Sequence, residues 1–202
     1  VAALQAAVRA GIIANKATAV HCGTAWKNKG VQTVLDAVID FLPSPLDVPA
    51  IKGINPKTEE ELERHPDDTE PMSSLVFKIV TDPYVGRLAY FRVYSGVLKS
   101  GSSVYNSTKG KRERIGRLIR MYADRREEVD EIRAGDIGAV LGLKESFTGD
   151  TLGDEGEQLL LDNLTSPDPL LRAAVAATSC TIQDQMCRAH HARSLEHTTF
   201  YA

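Results

Sequence analysis

The residues with the most chemistry to offer lie in a few short stretches. Cys22-Gly-Thr-Ala-Trp-Lys27, followed by Asn28-Lys-Gly30, is a run of mostly small residues. Small side chains let a backbone pass close to a flat ring, and Gly23 permits a tight turn. By itself the pattern is only that of a loop between a strand and a helix. Gly138-Ala-Val-Leu-Gly142-Leu-Lys-Glu-Ser146 imitates a phosphate cradle, but three residues separate its glycines and Lys144 does not follow Gly142 directly. No G-x-x-x-x-G-K-[ST] loop exists in the sequence, so the β- and γ-phosphates of a nucleotide would have neither cradle nor Mg2+ ligand. Asn15-Lys16-Ala17-Thr18 imitates a base-reading Asn-Lys-x-Asp motif without its carboxylate. No residue is a candidate catalyst.

Charge gives a second feature. From Tyr105 to Arg126 there are eight basic residues, Lys109, Lys111, Arg112, Arg114, Arg117, Arg120, Arg125 and Arg126, against Glu113 and Asp124. That is +6 locally on a chain of net charge −3. The overall balance excludes a globally basic nucleic-acid binder and leaves room for a local phosphate-binding patch. A solvated face is the plain alternative. Near the C-terminus, Cys180-x6-Cys187-x2-His190-His191 offers four zinc-ligand types. Its Cys–Cys gap exceeds the usual two to four residues and adjacent His side chains diverge, so no metal site is expected.

These features must be positioned by something. The chain has 202 residues, 43% hydrophobic and 25% charged, a balance that excludes disorder, collagen and coiled coil. Three cysteines are too few and too oddly placed for a disulfide framework, which fits a reducing compartment. No window of about 18 apolar residues exists, so no membrane-spanning helix is expected. The N-terminus, Val1-Ala-Ala-Leu-Gln, opens in mid-helix pattern without Met, so the chain reads as a piece of something longer. Leu4, Val8, Ile12 and Ile13 predict a helix ending near Gly11. Lys16–Cys22 predicts a buried strand, and Val31, Val34, Leu35, Val38 and Ile39 predict a helix over 30–42, stopped by Pro43 and Pro45. Residues 46–72 are Pro-rich and then acidic, a linker or an exposed ribbon. From Ser73 short strands alternate with turns: Leu75–Val80, Gly86–Tyr94, Val97–Leu98, Ser103–Tyr105, Arg112–Met121, Glu128–Ile132 and Ile137–Leu143. This spacing favours a small antiparallel barrel. Leu159–Leu164 reads as another strand, and Leu170–Ala177 is apolar without a clear period.

Several of these blocks, in order, resemble translational GTPases, and most closely the elongation factor G family. The blocks are Gly23-Thr-Ala-Trp-Lys27 with Asn28-Lys-Gly-Val-Gln32, Asp36-Ala-Val-Ile-Asp-Phe-Leu-Pro-Ser-Pro45 and Asp47-Val-Pro-Ala-Ile-Lys-Gly53. They continue in Phe77-Lys-Ile-Val-Thr-Asp-Pro-Tyr-Val-Gly-Arg-Leu88 and Arg92-Val-Tyr-Ser-Gly96, and then in Arg125-Arg-Glu-Glu-Val-Asp-Glu-Ile-Arg-Ala-Gly-Asp136 and Thr148-Gly-Asp-Thr-Leu152. The resemblance covers roughly residues 1–156. It implies a mixed fold: the C-terminal edge of an α/β GTPase domain over 1–45, a linker over 46–72, and an antiparallel barrel over 73–160. Residues 161–202 would be a degraded start of the next domain or an aberrant tail, since the spacing there is disturbed. It implies that Gly23, Thr24, Ala25, Trp26 and Lys27 contact guanine, the Ala25 N–H facing the base carbonyl and Thr24 steadying the loop. GTP with Mg2+ would be the parent's ligand, bound weakly if at all by this chain, which alone should not hydrolyse it. It also implies a ribosomal partner, with Lys111, Arg112, Arg114, Arg117 and Arg120 as candidate contacts to small-subunit ribosomal RNA. DNA and membranes are not expected partners, and the expected location is cytoplasmic, or organellar for an organellar parent. Two other readings stand beside this one: a stand-alone β-barrel module that binds RNA or protein, and a piece of a related ribosomal-protection or release-factor GTPase.

Overall fold

An Ala-rich run with apolar residues three and four apart winds into helix α1 (Ala2–Ile13). The computed structural model describes residues 2–82, 86–123, 125–162, 179, 182–187 and 189. It divides into two units, Val1–Pro49 and Ala50–Ala202.

In the first unit α1 continues two residues past Gly11. The turn is closed instead by Asn15 at φ 54°, with the Lys16 N–H donating to the Gly11 carbonyl at 2.8 Å. A short polar side chain tolerates that left-handed conformation, so a stop signal read from glycine alone falls early. Helix α2 (Val31–Phe41) starts at Gly30, which sits at φ 79°. It ends at Leu42, just before Pro43. Arg9 ties the two helices together, donating to the Asp40 carbonyl in the last turn of α2 at 3.0 Å and to Asp47 at 2.6 Å. The strand expected over Lys16–Cys22 does not form: residues 17–23 are exposed and carry no ladder. A strand buried on both faces needs neighbouring strands, and none pairs with it among the described residues. For the same reason Val34, Leu35, Val38 and Ile39 of α2 face solvent.

In the second unit, residues 51–161 are built of β-strands, and residues 182–187 are helical. Its strands are β1 (Ile51–Ile54), β2 (Glu61–Arg64), β3 (Ser73–Asp82), β4 (Gly86–Ser95), β5 (Val97–Lys99), β6 (Ser103–Asn106) and β7 (Lys111–Arg114). Then come β8 (Leu118–Tyr122), β9 (Arg125–Val129), β10 (Glu131–Arg133), β11 (Ile137–Leu141), β12 (Thr151–Gly153) and β13 (Leu160–Leu161). Eight strands form one antiparallel sheet in the order β7-β6-β12-β3-β4-β11-β8-β9, with β5 and β10 pairing separately. Residues 115–117 carry the chain from β7 at one edge of that sheet to β8 near the other. The Ile115 N–H donates to Ser102 at 2.8 Å, extending the β6–β7 pair, and the Arg117 carbonyl accepts from Leu141 at 3.0 Å, extending the β8–β11 pair. The result is the expected barrel.

The barrel core follows the strand alternation. Phe91 and Val93 of β4 point in, and Val76, Ile79, Leu98, Ile115, Leu118, Ile132, Val140 and Leu152 are among the residues packed with them. Two glycines are held by close backbone approach: a Cβ on Gly116 would stand 2.1 Å from the Leu141 carbonyl oxygen, and one on Gly96, at φ 71°, would stand 2.7 Å from the Glu70 carbonyl oxygen.

Two of the strands expected from sequence are each in fact two. Arg112–Met121 breaks at Gly116 into β7 and β8, and Glu128–Ile132 is divided between β9 and β10. The acidic stretch contains a hairpin: β1 and β2 pair from Ile51↔Arg64 to Ile54↔Glu61, and β1 also pairs with β13. Of the features expected near the C-terminus, Leu170–Ala177, Cys180, His190 and His191 lie outside the described residues. Cys187 is exposed, and among the described residues no group of His, Cys, Asp or Glu is arranged to hold a metal ion.

Candidate nucleotide loop and nucleic-acid interface

The loop that carries the base-contact candidates is built by its own backbone. Thr24 and Lys29 form an isolated antiparallel bridge, with the Thr24 N–H donating to the Lys29 carbonyl at 2.9 Å. Thr24 returns the bond twice, its carbonyl accepting from Lys27 and Lys29, each at 3.1 Å. Ala25–Lys27 between them form one 3-10 turn, closed by Asn28 at φ 49°. Glycines at both ends allow this closure. A Cβ on Gly23 would stand 2.9 Å from the Lys29 carbonyl, and one on Gly30 would stand 3.0 Å from the Cys22 carbonyl. Among the described residues no acceptor takes the N–H of Ala25 or Trp26. The Trp26 side chain is 97% exposed. The arrangement is therefore a tight loop presenting two backbone donors and an aromatic ring outward, next to the N-terminus of α2.

The five basic candidates lie in the other unit. Lys111, Arg112 and Arg114 stand on β7, Arg120 stands on β8 and Arg117 lies between the two strands. All except Arg120 are exposed. The structure pairs four of them with carboxylates of the same barrel. Lys111 meets Glu145 at 2.7 Å, Arg117 meets Glu128 at 3.9 Å, Arg120 meets Asp136 at 3.2 Å, and Arg112 pairs with Glu155. Arg114 has no carboxylate partner among the described residues. Hydrogen bonding and proximity to Lys111 hold the Glu145 carboxyl below its ordinary range, and Glu145 in turn raises Lys111. The local excess of positive charge read from residues 105–126 is thus largely balanced in three dimensions. A count along the chain misses this because the balancing acids, Glu145 and Glu155 above all, come from loops tens of residues away.

One acid inside the basic run has a different task. Glu113 points inward from β7 and is buried. Its carboxylate accepts from the backbone N–H of Lys144 at 2.9 Å, from that of Glu145 at 3.1 Å and from the Ser146 hydroxyl. Arg87 closes the same loop from outside, donating to the Lys144 carbonyl at 2.8 Å with its guanidinium 4.6 Å above the Phe147 ring centroid. Lys109 covers that ring at 3.9 Å and reaches Asp150 at 3.2 Å. Sequence reasoning passed over this clamp. Its one sign in the sequence is Glu113 set between Arg112 and Arg114, two residues before the apolar Ile115.

Residues 71–155 match the family model of elongation factor G domain 2. The elongation factor G proteins of Dehalococcoides mccartyi strains BAV1 and CBDB1 are each 54% identical over 197 residues, covering 98% of this chain and 28% of theirs. That of D. mccartyi strain 195 matches equally. A crystal structure of a Thermus thermophilus protein shares the fold at a TM-score of 0.71 and 23% identity, over 98% of this chain and 27% of that one. The chain spans little more than a quarter of the length of the curated relatives it matches. With a match to domain 2 at its centre and 54% identity over 98% of its length, the chain is similar throughout to one segment of elongation factor G.

Proposed function

We propose that this chain acts as a segment of a translational GTPase of the elongation factor G kind, the factor that promotes ribosomal translocation. It would supply the last guanine-contacting loop and a ribosome-facing barrel. The observation that carries the reading is the 54% identity to elongation factor G over 98% of the chain. The loop supports it: guanine presents a carbonyl oxygen, and the N–H of Ala25 faces outward from a turn that Gly23, Thr24 and Gly30 hold closed. Thr24 steadies the turn through its backbone, and Trp26 and Lys27 flank the base. The triphosphate and its Mg2+ find no such fit, since the sequence contains no phosphate cradle. A few neutral hydrogen bonds, each worth about 1 kcal/mol net, do not offset the entropic cost of holding a nucleotide. Binding and hydrolysis of GTP therefore belong to a longer chain, acting in the cytoplasm where translation occurs.

The partner in this reading is the ribosome, met by the barrel through small-subunit ribosomal RNA. Lys111, Arg112, Arg114, Arg117 and Arg120 would contact phosphates. Their ion pairs do not prevent this: exposed pairs contribute only about 0–1 kcal/mol, so a phosphate can displace a carboxylate at little cost. The test is the salt dependence of binding to a small-subunit ribosomal RNA fragment. Changing Arg112 and Arg114 to Ala should reduce the slope of log K against log salt by roughly 0.7–0.9 per lost contact. An unchanged slope would retire the docking face.

A further inference from the structure

We infer that β6 and β7 carry a site for one unpaired nucleobase of RNA, centred on Tyr105 and Arg112. The inference rests on the docking reading above and adds what that face recognises. The register pairs Tyr105 with Arg112 and Ser103 with Arg114. Alternation then puts these four side chains on one outer face, while Val104, Asn106 and Glu113 are buried on the other. On the outer face Ser103, Val104, Tyr105, Arg112 and Glu155 line a shallow dimple of about 80 Å3. That is far below the roughly 300–1,000 Å3 of an enclosing small-molecule pocket, so a base would lie against the surface here rather than enter a cavity.

The chemistry of the lining favours a base over a plain phosphate. Tyr105 is half-buried, and its hydroxyl lies 3.5 Å from where a Cβ on Gly110 would stand, so the ring is laid along the β6–β7 hairpin. A ring held in this way is a stacking platform, and base–aromatic stacking tolerates any base. The Arg112 guanidinium flanks the dimple and can cover the other face of a stacked base or reach its phosphate. In the free protein it pairs with Glu155, but both side chains are at least half exposed, so the pair is easily exchanged. Arg114, on the same face and without a carboxylate partner among the described residues, is placed for the flanking phosphate. An acidic peptide would use the two arginines and leave the ring idle, which separates the two ligands.

The test uses the full 202-residue chain and two labelled RNA hairpins, one with a single bulged nucleotide and one fully paired, compared by fluorescence anisotropy. The bulged hairpin should bind at least about fivefold more tightly, from the range measured for single stacked bases. Tyr105→Phe should keep that preference and Tyr105→Leu should erase it. Glu155→Gln should tighten binding of the bulged hairpin by freeing Arg112. Equal affinity for the two hairpins, or a preference that survives Tyr105→Leu, overturns the base site. If both hairpins bind equally with a steep salt slope, the base site falls and the docking face stands. If neither binds, both fall, and binding of polyglutamate in place of RNA likewise overturns the site. Should Tyr105→Leu fail to fold in a melting experiment, the wild-type comparison and Glu155→Gln decide.

Discussion

Gly116 shows how much a single position can determine. Its hydrogen stands where a Cβ would meet the Leu141 carbonyl oxygen at 2.1 Å, and that carbonyl is backbone inside the sheet. Gly116→Ala must therefore shift β11 or the turn between β7 and β8, and the expected cost is about 1–3 kcal/mol, as for other overpacked sites. Chemical denaturation would measure it, and an unchanged midpoint would refute the close approach. Glu59 is the reverse case. It holds φ 56° in the turn between β1 and β2, its N–H donating to the Asn55 carbonyl at 2.9 Å. Nothing there needs the side chain, so Glu59→Gly should stabilise slightly, by up to about 1 kcal/mol. Glu145 sets an acid dependence. Its folded carboxyl titrates below the ordinary 4.5 because Lys111 donates to it. A depressed folded value means the contribution is present above the ordinary pKa and lost as pH falls through the lowered one. Glu145→Gln should consequently lose less thermal stability than the parent chain when acidified from about pH 5 to about pH 3. An identical acid profile would show that the pair contributes nothing.

The elements differ in how they are stabilised, and the two units make the contrast plain. Phe91 is fully buried on β4, and its replacement by Ala should cost roughly 3–5 kcal/mol. Leu35 and Ile39 on α2 are 60% and 77% exposed, so Leu35→Glu or Ile39→Lys should move the stability of this chain by no more than about 0.5 kcal/mol. A large loss at α2 would reveal packing that the structure does not contain. The same contrast explains what was legible in the sequence. Both helices and most barrel strands could be read because their periodicity reports local geometry: Phe91 and Val93 alternate with Arg92 and Tyr94, and Val31, Val34, Leu35 and Val38 form a stripe. Lys16–Cys22 was misread because a buried-strand pattern predicts a strand only where partner strands exist. β1, β2 and β12 give little signal in the sequence: β1 is four residues interrupted by Gly53, β2 is acidic, and β12 is three residues. β1 and β12 also pair with distant segments, as in Gly53↔Leu161 and Gly153↔Ser73.

At the scale of the molecule, the chain combines an all-β barrel with its own core and a pair of helices that bury no residue. The loop of Gly23–Lys27 was visible in the sequence as small residues and turn glycines, and its outward N–H groups follow from them. The basic face was visible only as a charge count, because its carboxylate partners are assembled by the fold. Both features acquire a common purpose if the chain works within an elongation factor G. That claim is tested most directly by exchange. The matching segment of Dehalococcoides mccartyi elongation factor G is replaced with residues 1–162 of this chain, and translocation is followed on ribosomes. The account predicts a chimera that binds GTP and translocates at a rate near that of the parent factor, with nucleotide affinity lowered by Ala25→Pro, which removes the outward N–H. A chimera that folds yet neither binds GTP nor moves the ribosome would contradict it.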